Sequence, residues 1–92
     1  MSHGEFKVPG GKLVVADVTI EAGRLTAVQI SGDFFLEPPE ALDLIDTALR
    51  GLPADAPEAD LAHAVRQALP PTTEMFGFSP EAVATAVARA RS

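Results

Sequence analysis

The chain has 92 residues, 47% of them apolar, no cysteine and a formal net charge of −6. This length suits one small domain, and the missing cysteine excludes disulfides, thiolate metal sites and cysteine nucleophiles and fits a cytoplasmic protein. The acidic balance weighs against nucleic acid, no apolar run is long enough for a membrane span, and Met1–Lys12 lacks a signal peptide's apolar core.

Three strand-like segments come first in the chain. Phe6–Val8 alternates weakly and runs into Pro9–Gly11, a strong turn signal. Lys12–Ile20 alternates most clearly, and Leu25–Ser31 returns after the turn Glu21–Arg24. The pattern predicts an antiparallel meander.

The register of the second hairpin depends on the length of its loop. A two-residue loop would pair Val18 with Ala27 and place Asp17 opposite Val28. A three-residue loop from Ala22 to Arg24 places the apolar residues on one face, with the pairs Ile20 with Thr26, Val18 with Val28, and Ala16 with Ile30. We therefore predict the three-residue loop.

Three helix-like segments follow the strands. The first has Pro38-Pro39 in its first turn and Gly51 at its C-terminal end. Its apolar residues recur at helical spacing, and its acids are placed on the opposite, solvated side; the two sets are Leu42, Ile45, Ala48, Leu49 and Leu52, and Glu40, Asp43 and Asp46.

The second and third helices have clear boundary signals. The second is expected to begin near Asp55–Glu58, a box-like Asp-x-x-Glu, and to end before Pro70. The third has Ser79 as N-cap, Pro80 in its first turn and a narrow apolar face. A meander over residues 1–35 and a helical layer over residues 36–92 predict a single α+β domain, with a three-stranded antiparallel sheet packed against about three helices.

The search for catalytic groups returns little. His3 is expected in a frayed terminus and His63 on the surface of the second helix, and neither has an acid and a nucleophile nearby in sequence. Gly10-Gly11-Lys12 fails the phosphate-loop pattern because Leu13 follows in place of Ser or Thr. A hairpin turn with glycines at positive φ is favoured there, with an anion contact at Lys12 or acylation of Lys12 as alternatives.

The segment Ser31–Phe35 lies where the third strand ends. Gly32 permits a close approach or unusual backbone conformation, and Asp33 suits a turn in which it bonds its own backbone. Phe34 and Phe35 would point to opposite faces of an extended chain. One is therefore expected in the core and the other on a contact surface, with both in the core as the alternative.

Three segments carry a resemblance to a known family. Lys7–Val14, Ile30–Phe35 and Gly77–Glu81 together resemble the signatures of the lipoate–protein ligase C-terminal (accessory) domain, in order and at fitting spacing. The resemblance covers essentially the whole chain. The family's catalytic domain is absent from it.

The resemblance implies a function and a partner. An accessory subunit of this kind would act with a separate catalytic subunit, as a heterodimer, in the ATP-dependent activation of lipoate that precedes its transfer to lysines of lipoyl carrier domains. ATP, Mg²⁺ and lipoate would bind the partner, and this chain would bind no cofactor and have no catalytic residue. The implied fold is similar to that of SufE/NifU-type scaffold proteins. The implied interface positions are Lys7, Gly10, Gly11, Lys12, Asp33, Phe34 and Phe35.

Other functions stay open from the sequence. A binding or scaffold module of the same fold could serve another assembly, since fold does not fix function. An independent enzyme is disfavoured because no base–nucleophile pair can be named. A lipoyl acceptor is disfavoured because the Asp-Lys-Ala-type hairpin of carrier domains is missing.

Overall fold

The computed structural model describes residues 1–91. Three strands form an antiparallel sheet in the order β1-β2-β3, and three helices and a separate two-stranded ribbon complete the chain. The elements are β1 (Ser2–Lys7), β2 (Leu13–Glu21), β3 (Arg24–Gly32), β4 (Phe35–Glu37), α1 (Ala41–Leu49), α2 (Glu58–Ala68), β5 (Glu74–Phe76) and α3 (Pro80–Arg91). The predicted α+β class is confirmed. The β4–β5 ribbon was not predicted, and its second strand lies within the segment expected to be only helical.

One face of the sheet is covered by the helices. Helix α3 packs on β1 and β2, α1 packs on β3, and α2 packs on both α1 and α3. From Val14 to Val18 of β2 every second residue is buried, which is the alternation seen in the sequence. Ile20, expected on the same face, is 39% exposed. The largest fully buried side chains form the core between the layers: Leu25, Ile30, Ile45, Leu49, Leu61, Val14, Val18, Val65, Val83 and Val87.

The second hairpin combines a two-residue turn with a bulge. Ala22 and Gly23 both have positive φ, of 53° and 75°, as a type I′ turn requires. The register then shifts near Thr19 and Ile20, so that Thr26 has no pairing partner. The three-residue loop and the pair of Ile20 with Thr26 were therefore wrong. The pairs of Val18 with Val28 and Ala16 with Ile30 are confirmed, because the bulge restores the register that buries the apolar face.

Strand β1 is longer than predicted and lies directly on α3. It begins at Ser2, so the expectation that His3 is frayed was wrong. Opposite His3 lies Asp17, and the His3 ring bonds Asp17 Oδ1 and Glu5 Oε2, each at 2.7 Å. Gly4 is buried, and a Cβ there would overlap the backbone of the α3 residues Ala86 and Ala90. Glycine therefore permits a strand–helix contact that no larger residue would.

Helix α1 begins at Ala41, so Pro38-Pro39 precede the helix and the expectation that they lie in its first turn was wrong. Gly51 follows the end of the helix, as predicted, with a φ of 89°. Asp46 was expected on the solvated side but is half-buried, because its carboxylate accepts the backbone N–H of Ile30 at 3.0 Å. That carboxylate caps an edge group of β3 that would otherwise lack a partner. Burial raises the pKa of Asp46, the bond from Ile30 opposes the shift, and the Asp43 charge adds to it.

The last two helices differ in how well their starts were predicted. Helix α2 begins at Glu58 with Pro57 before it and no side-chain cap, so the Asp-x-x-Glu box does not form. Helix α3 starts as expected: the Ser79 hydroxyl accepts the backbone N–H of Ala82 at 3.1 Å, and Pro80 is its first residue. Within residues 1–91, no helix combines the length and the apolar character that crossing a membrane requires.

Candidate functional site

The three segments that carry the resemblance meet at one end of the sheet. The hairpin loop between β1 and β2 bonds the turn before α3, the start of β2 bonds the residue after β3, and β4 pairs with β5. Residues about twenty and sixty-five positions apart in sequence thus share one surface. The contacts that join them involve Lys12, Leu13, Asp33 and Gly77.

The hairpin loop is a tight glycine turn. The Gly11 N–H donates to Val8 O at 2.8 Å, and Gly10 has a φ of 71°, as expected for the third position of a type II turn that begins before a proline. The Lys7 ammonium donates to Gly11 O at 2.6 Å and to Val8 O at 3.1 Å. The Lys7 side chain therefore stabilises the loop by bonding two of its carbonyls. Of the two glycines in the loop, Gly10 has the predicted positive φ and Gly11 does not.

Lys12 joins this loop to the turn before α3. Its backbone N–H donates to Gly77 O at 2.8 Å, and its aliphatic stem lies over Gly77, where a Cβ would overlap it. A Cβ at Gly11 would come within 2.7 Å of the same Gly77 oxygen. The Lys12 side chain is exposed and makes no side-chain hydrogen bond or ion pair among residues 1–91. Its ammonium is thus available at the surface.

Asp33 ties the end of β3 to the start of β2. Its Oδ1 accepts the backbone N–H of Leu13 at 2.8 Å, and its own N–H donates to Leu13 O at 3.3 Å. The expectation that Asp33 bonds its own backbone was therefore wrong, because its partner is twenty residues away. Gly32 permits this closure: its φ is 153°, and a Cβ there would overlap Leu13 O.

The two adjacent phenylalanines point in opposite directions, as predicted. Phe34 packs against the core and stacks on Phe78, with ring centroids 3.8 Å apart. Phe35 is 70% exposed and lies opposite Phe76, which is 47% exposed. Phe34 therefore lies in the core and Phe35 on the surface. The alternative, in which both rings are in the core, was wrong.

A cleft of ≈ 290 Å³ opens beside the exposed ring of Phe35. Gly32, Phe34, Glu37 and Leu42 contribute to its walls. Glu37 is also paired across the ribbon with Glu74. No group of three or more His, Asp or Glu side chains within residues 1–91 could hold a metal ion.

The sequence reasoning missed Phe76, the second exposed ring. A three-residue strand gives too short a run for alternation to be recognised, which explains the omission. The triplet Phe76-Gly77-Phe78 did contain a signal, because it places two aromatic residues two positions apart around a glycine. Gly77 has a φ of 86°, so the backbone turns between the exposed and the buried ring.

Comparison with known proteins places this fold. No protein-family profile and no curated protein sequence matches the chain. Among solved structures, it is similar to a polypeptide from an archaeal lipoylation system of Thermoplasma acidophilum, described as a bipartite lipoate protein ligase and its E2 lipoyl domain. The TM-score is 0.67 at 21% sequence identity, over 94% of this chain and 90% of that one. At this identity the likeness establishes a shared fold over nearly the whole of both polypeptides.

The structural neighbour comes from a lipoylation system, the kind of system that the family in the sequence resemblance serves. The resemblance was carried by three segments, and the fold comparison covers almost the entire chain. The interface role of Lys7, Gly10, Gly11, Lys12, Asp33, Phe34 and Phe35 stays a prediction. Hydrogen bonds join Lys7 to Gly11, Lys12 to Gly77 and Leu13 to Asp33, so the loop of residues 7–12 and the end of β3 are neighbours. Lys12 and Phe35 are both exposed.

Proposed function

We propose that this chain is the accessory subunit of a two-part lipoate–protein ligase. The observation that carries the proposal is the meeting of three separate motif segments at one surface, in a fold shared with a polypeptide of a lipoylation system. In this proposal the chain works in the cytoplasm as a heterodimer with a catalytic subunit. That subunit binds ATP, Mg²⁺ and lipoate, and lipoyl carrier domains receive the product.

The chain's own residues act in this proposal by shape and charge. The loop from Val8 to Lys12 is braced by Lys7 and tied to Gly77, so it presents a rigid surface with one free ammonium. Docking of that surface orders the loop of the partner that surrounds the acyl-adenylate and keeps water away from it. Excluding water strengthens the electrostatic stabilisation of the activation step.

The experiment is ATP–pyrophosphate exchange that depends on lipoate. The catalytic subunit is assayed alone, with this chain, and with a Lys12→Ala chain that is folded. We expect exchange to be low with the catalytic subunit alone and to rise when the wild-type chain is added. Equal exchange with and without the chain contradicts the proposal.

A non-enzymatic scaffold module of the same fold is the second candidate. The exposed pair of Phe35 and Phe76 is as compatible with a scaffold module as with a ligase subunit, because an exposed apolar surface suits any protein partner. The two candidates differ in the assay: a scaffold would leave exchange unchanged. Intact mass after incubation with the complete ligase also tests whether the chain is itself an acceptor, and we expect no mass shift at Lys12.

A further inference from the structure

The outer face of the β4–β5 ribbon carries two cross-strand pairs. Phe35 lies opposite Phe76, and Glu37 lies opposite Glu74. Leu36 and Met75, which alternate with them, pack toward the core. The four outer residues therefore share one exposed face, which we call the ribbon face: Phe35, Glu37, Glu74 and Phe76.

The acidic pair on the ribbon face is unfavourable in the isolated chain. Directly opposed residues of an antiparallel pair have Cβ atoms about 4.5–5.5 Å apart, and like charges at that position destabilise a sheet. Glu37 and Glu74 make no ion pair or side-chain hydrogen bond among residues 1–91. A cation placed between the two carboxylates would turn repulsion into two charge-assisted contacts.

The aromatic pair beside it is unfavourable in water for a different reason. The two rings leave on the order of 200 Å² of apolar surface exposed, if a phenylalanine buries 150–250 Å² in full. That is about a quarter of what one partner contributes to a standard protein interface. It suits the buried centre of an interface, where aromatic residues carry most of the binding energy.

We propose that the ribbon face is the surface through which this chain docks on the catalytic subunit. That subunit is expected to present apolar side chains against Phe35 and Phe76, with a Lys or Arg beside them for Glu37 and Glu74. This inference rests on the proposed function and adds the partner's chemistry. The basic Lys12 lies just across Gly77, so the docking surface has opposite charges on its two sides, which fixes the partner's orientation.

The charges also argue against other occupants. Two carboxylates repel a nucleotide or a phosphate, so the ribbon face does not serve as the adenylate site. A second copy of this chain docked ribbon to ribbon would bring four carboxylates together. A cationic and apolar surface of the catalytic subunit relieves both unfavourable features at once.

The test measures the affinity of the full chain for the catalytic subunit by calorimetry. We expect Phe35→Ala and Phe76→Ala each to weaken binding about 30-fold or more, since truncated hot-spot aromatics have effects of that size. The double variant Glu37→Lys and Glu74→Lys should weaken it about tenfold and reverse its salt dependence. All four side chains are exposed, so we expect the variants to be folded, with thermal unfolding transitions close to that of the wild-type chain.

Matched controls lie at the opposite end of the sheet. Ile20 is 39% exposed beside the Ala22–Gly23 turn, and Asp55 is exposed in the segment that bonds this turn. Ile20→Ala and Asp55→Lys should bind like the wild-type chain. If a phenylalanine variant fails to fold, the double variant Glu37→Gln and Glu74→Gln decides instead. It should weaken the salt dependence of binding, because only the charge of Lys12 remains on the docking surface.

The outcomes separate this inference from the proposed function. A wild-type chain that binds and stimulates the ligase, together with ribbon-face variants that bind equally well, overturns the inference alone. A wild-type chain that does not bind the catalytic subunit overturns both. A chain that dimerises through the ribbon face on its own, shown by sedimentation equilibrium, also overturns the inference.

Discussion

The carboxylate of Asp33 accepts the backbone N–H of Leu13 at 2.8 Å, while the Asp33 N–H donates to the Leu13 carbonyl. One residue thus satisfies both backbone groups at the start of β2. Asp33→Ala should lower the free energy of unfolding by about 1 kcal/mol, and Asp33→Asn by less because the amide oxygen can still accept. Urea unfolding measures both. Asp55→Ala should be neutral, because Asp55 is exposed and makes no side-chain hydrogen bond or ion pair among residues 1–91. Equal losses for all three variants would contradict this role.

The two lysines of the first hairpin should separate stability from function. Lys7→Ala loses two bonds to loop carbonyls and should cost about 0.5–1 kcal/mol. Lys12→Ala keeps its backbone bond to Gly77 and should change stability by less than about 0.5 kcal/mol. In the proposed complex, however, Lys12→Ala should impair lipoate-dependent exchange. Urea midpoints and exchange rates, measured on the same preparations, check the pair. Loss of folding in Lys12→Ala would show that this lysine only supports the turn.

The adjacent phenylalanines should respond differently to truncation. Phe34→Ala removes the ring stacked on Phe78 and should cost about 3 kcal/mol. Phe35→Ala removes an exposed ring and should leave the free energy of unfolding within about 0.5–1 kcal/mol of the wild type. Chemical denaturation provides the comparison. Similar large losses for both would mean that Phe35 is also buried.

The contacts of His3 predict a pH dependence of stability. Hydrogen bonds to Glu5 and then to Asp17 raise the pKa of His3 above 6.5. Because the pKa of His3 is higher in the folded chain than in the unfolded chain, the charged ring stabilises the fold. This contribution to the free energy of unfolding is fully present below pH 6.5 and is lost as the pH rises through the folded-state pKa of His3. The difference in Tm between the wild type and His3→Gln should therefore shrink as the pH rises above 6.5. NMR titration of His3 checks the pKa directly. His63→Gln is the control, because His63 is exposed on α2 and makes no bond among residues 1–91.

The turn of the second hairpin contains a strained alanine. Ala22 has a φ of 53°, which costs an L-residue about 1 kcal/mol, whereas asparagine tolerates it. Ala22→Asn should raise the free energy of unfolding by up to about 1 kcal/mol, and the β-branched Ala22→Val should lower it. Thermal unfolding measures both. A destabilised asparagine variant would show that the turn is not of type I′.

Long alternating or helical patterns predicted the fold well. Strand β2 and helix α3 were recognised because their periodicity and caps act within a few residues, and the buried face fixed the register of Val18 with Val28 even though the loop was wrong. The bulge at Thr26 was not predicted, because no single residue type marks it. It arises because the two-residue turn at Ala22–Gly23 and the burial of the apolar face require registers that differ by one residue.

The missed features all depend on contacts between distant residues. Asp46 looked solvated by helical spacing, and only the packing of α1 beside β3 brings the Ile30 N–H to it. Asp33 bonds a residue twenty positions earlier, which local turn chemistry does not encode. The pairing of Phe35 with Phe76 joins two strands of three residues that are separated by two helices. Candidate interface residues were located by the resemblance, whereas their surroundings required the folded chain.

The close packing of Gly4 against Ala86 and Ala90 has a consequence for folding during synthesis of the protein. Strand β1 packs on a helix that is synthesised more than eighty residues later. Until that helix emerges, the apolar face of β1 and β2 has no cover and is open to mispairing with other nascent chains. Folding is therefore expected to be completed only once residue 90 has left the exit tunnel, and a stalled chain becomes a substrate for chaperones.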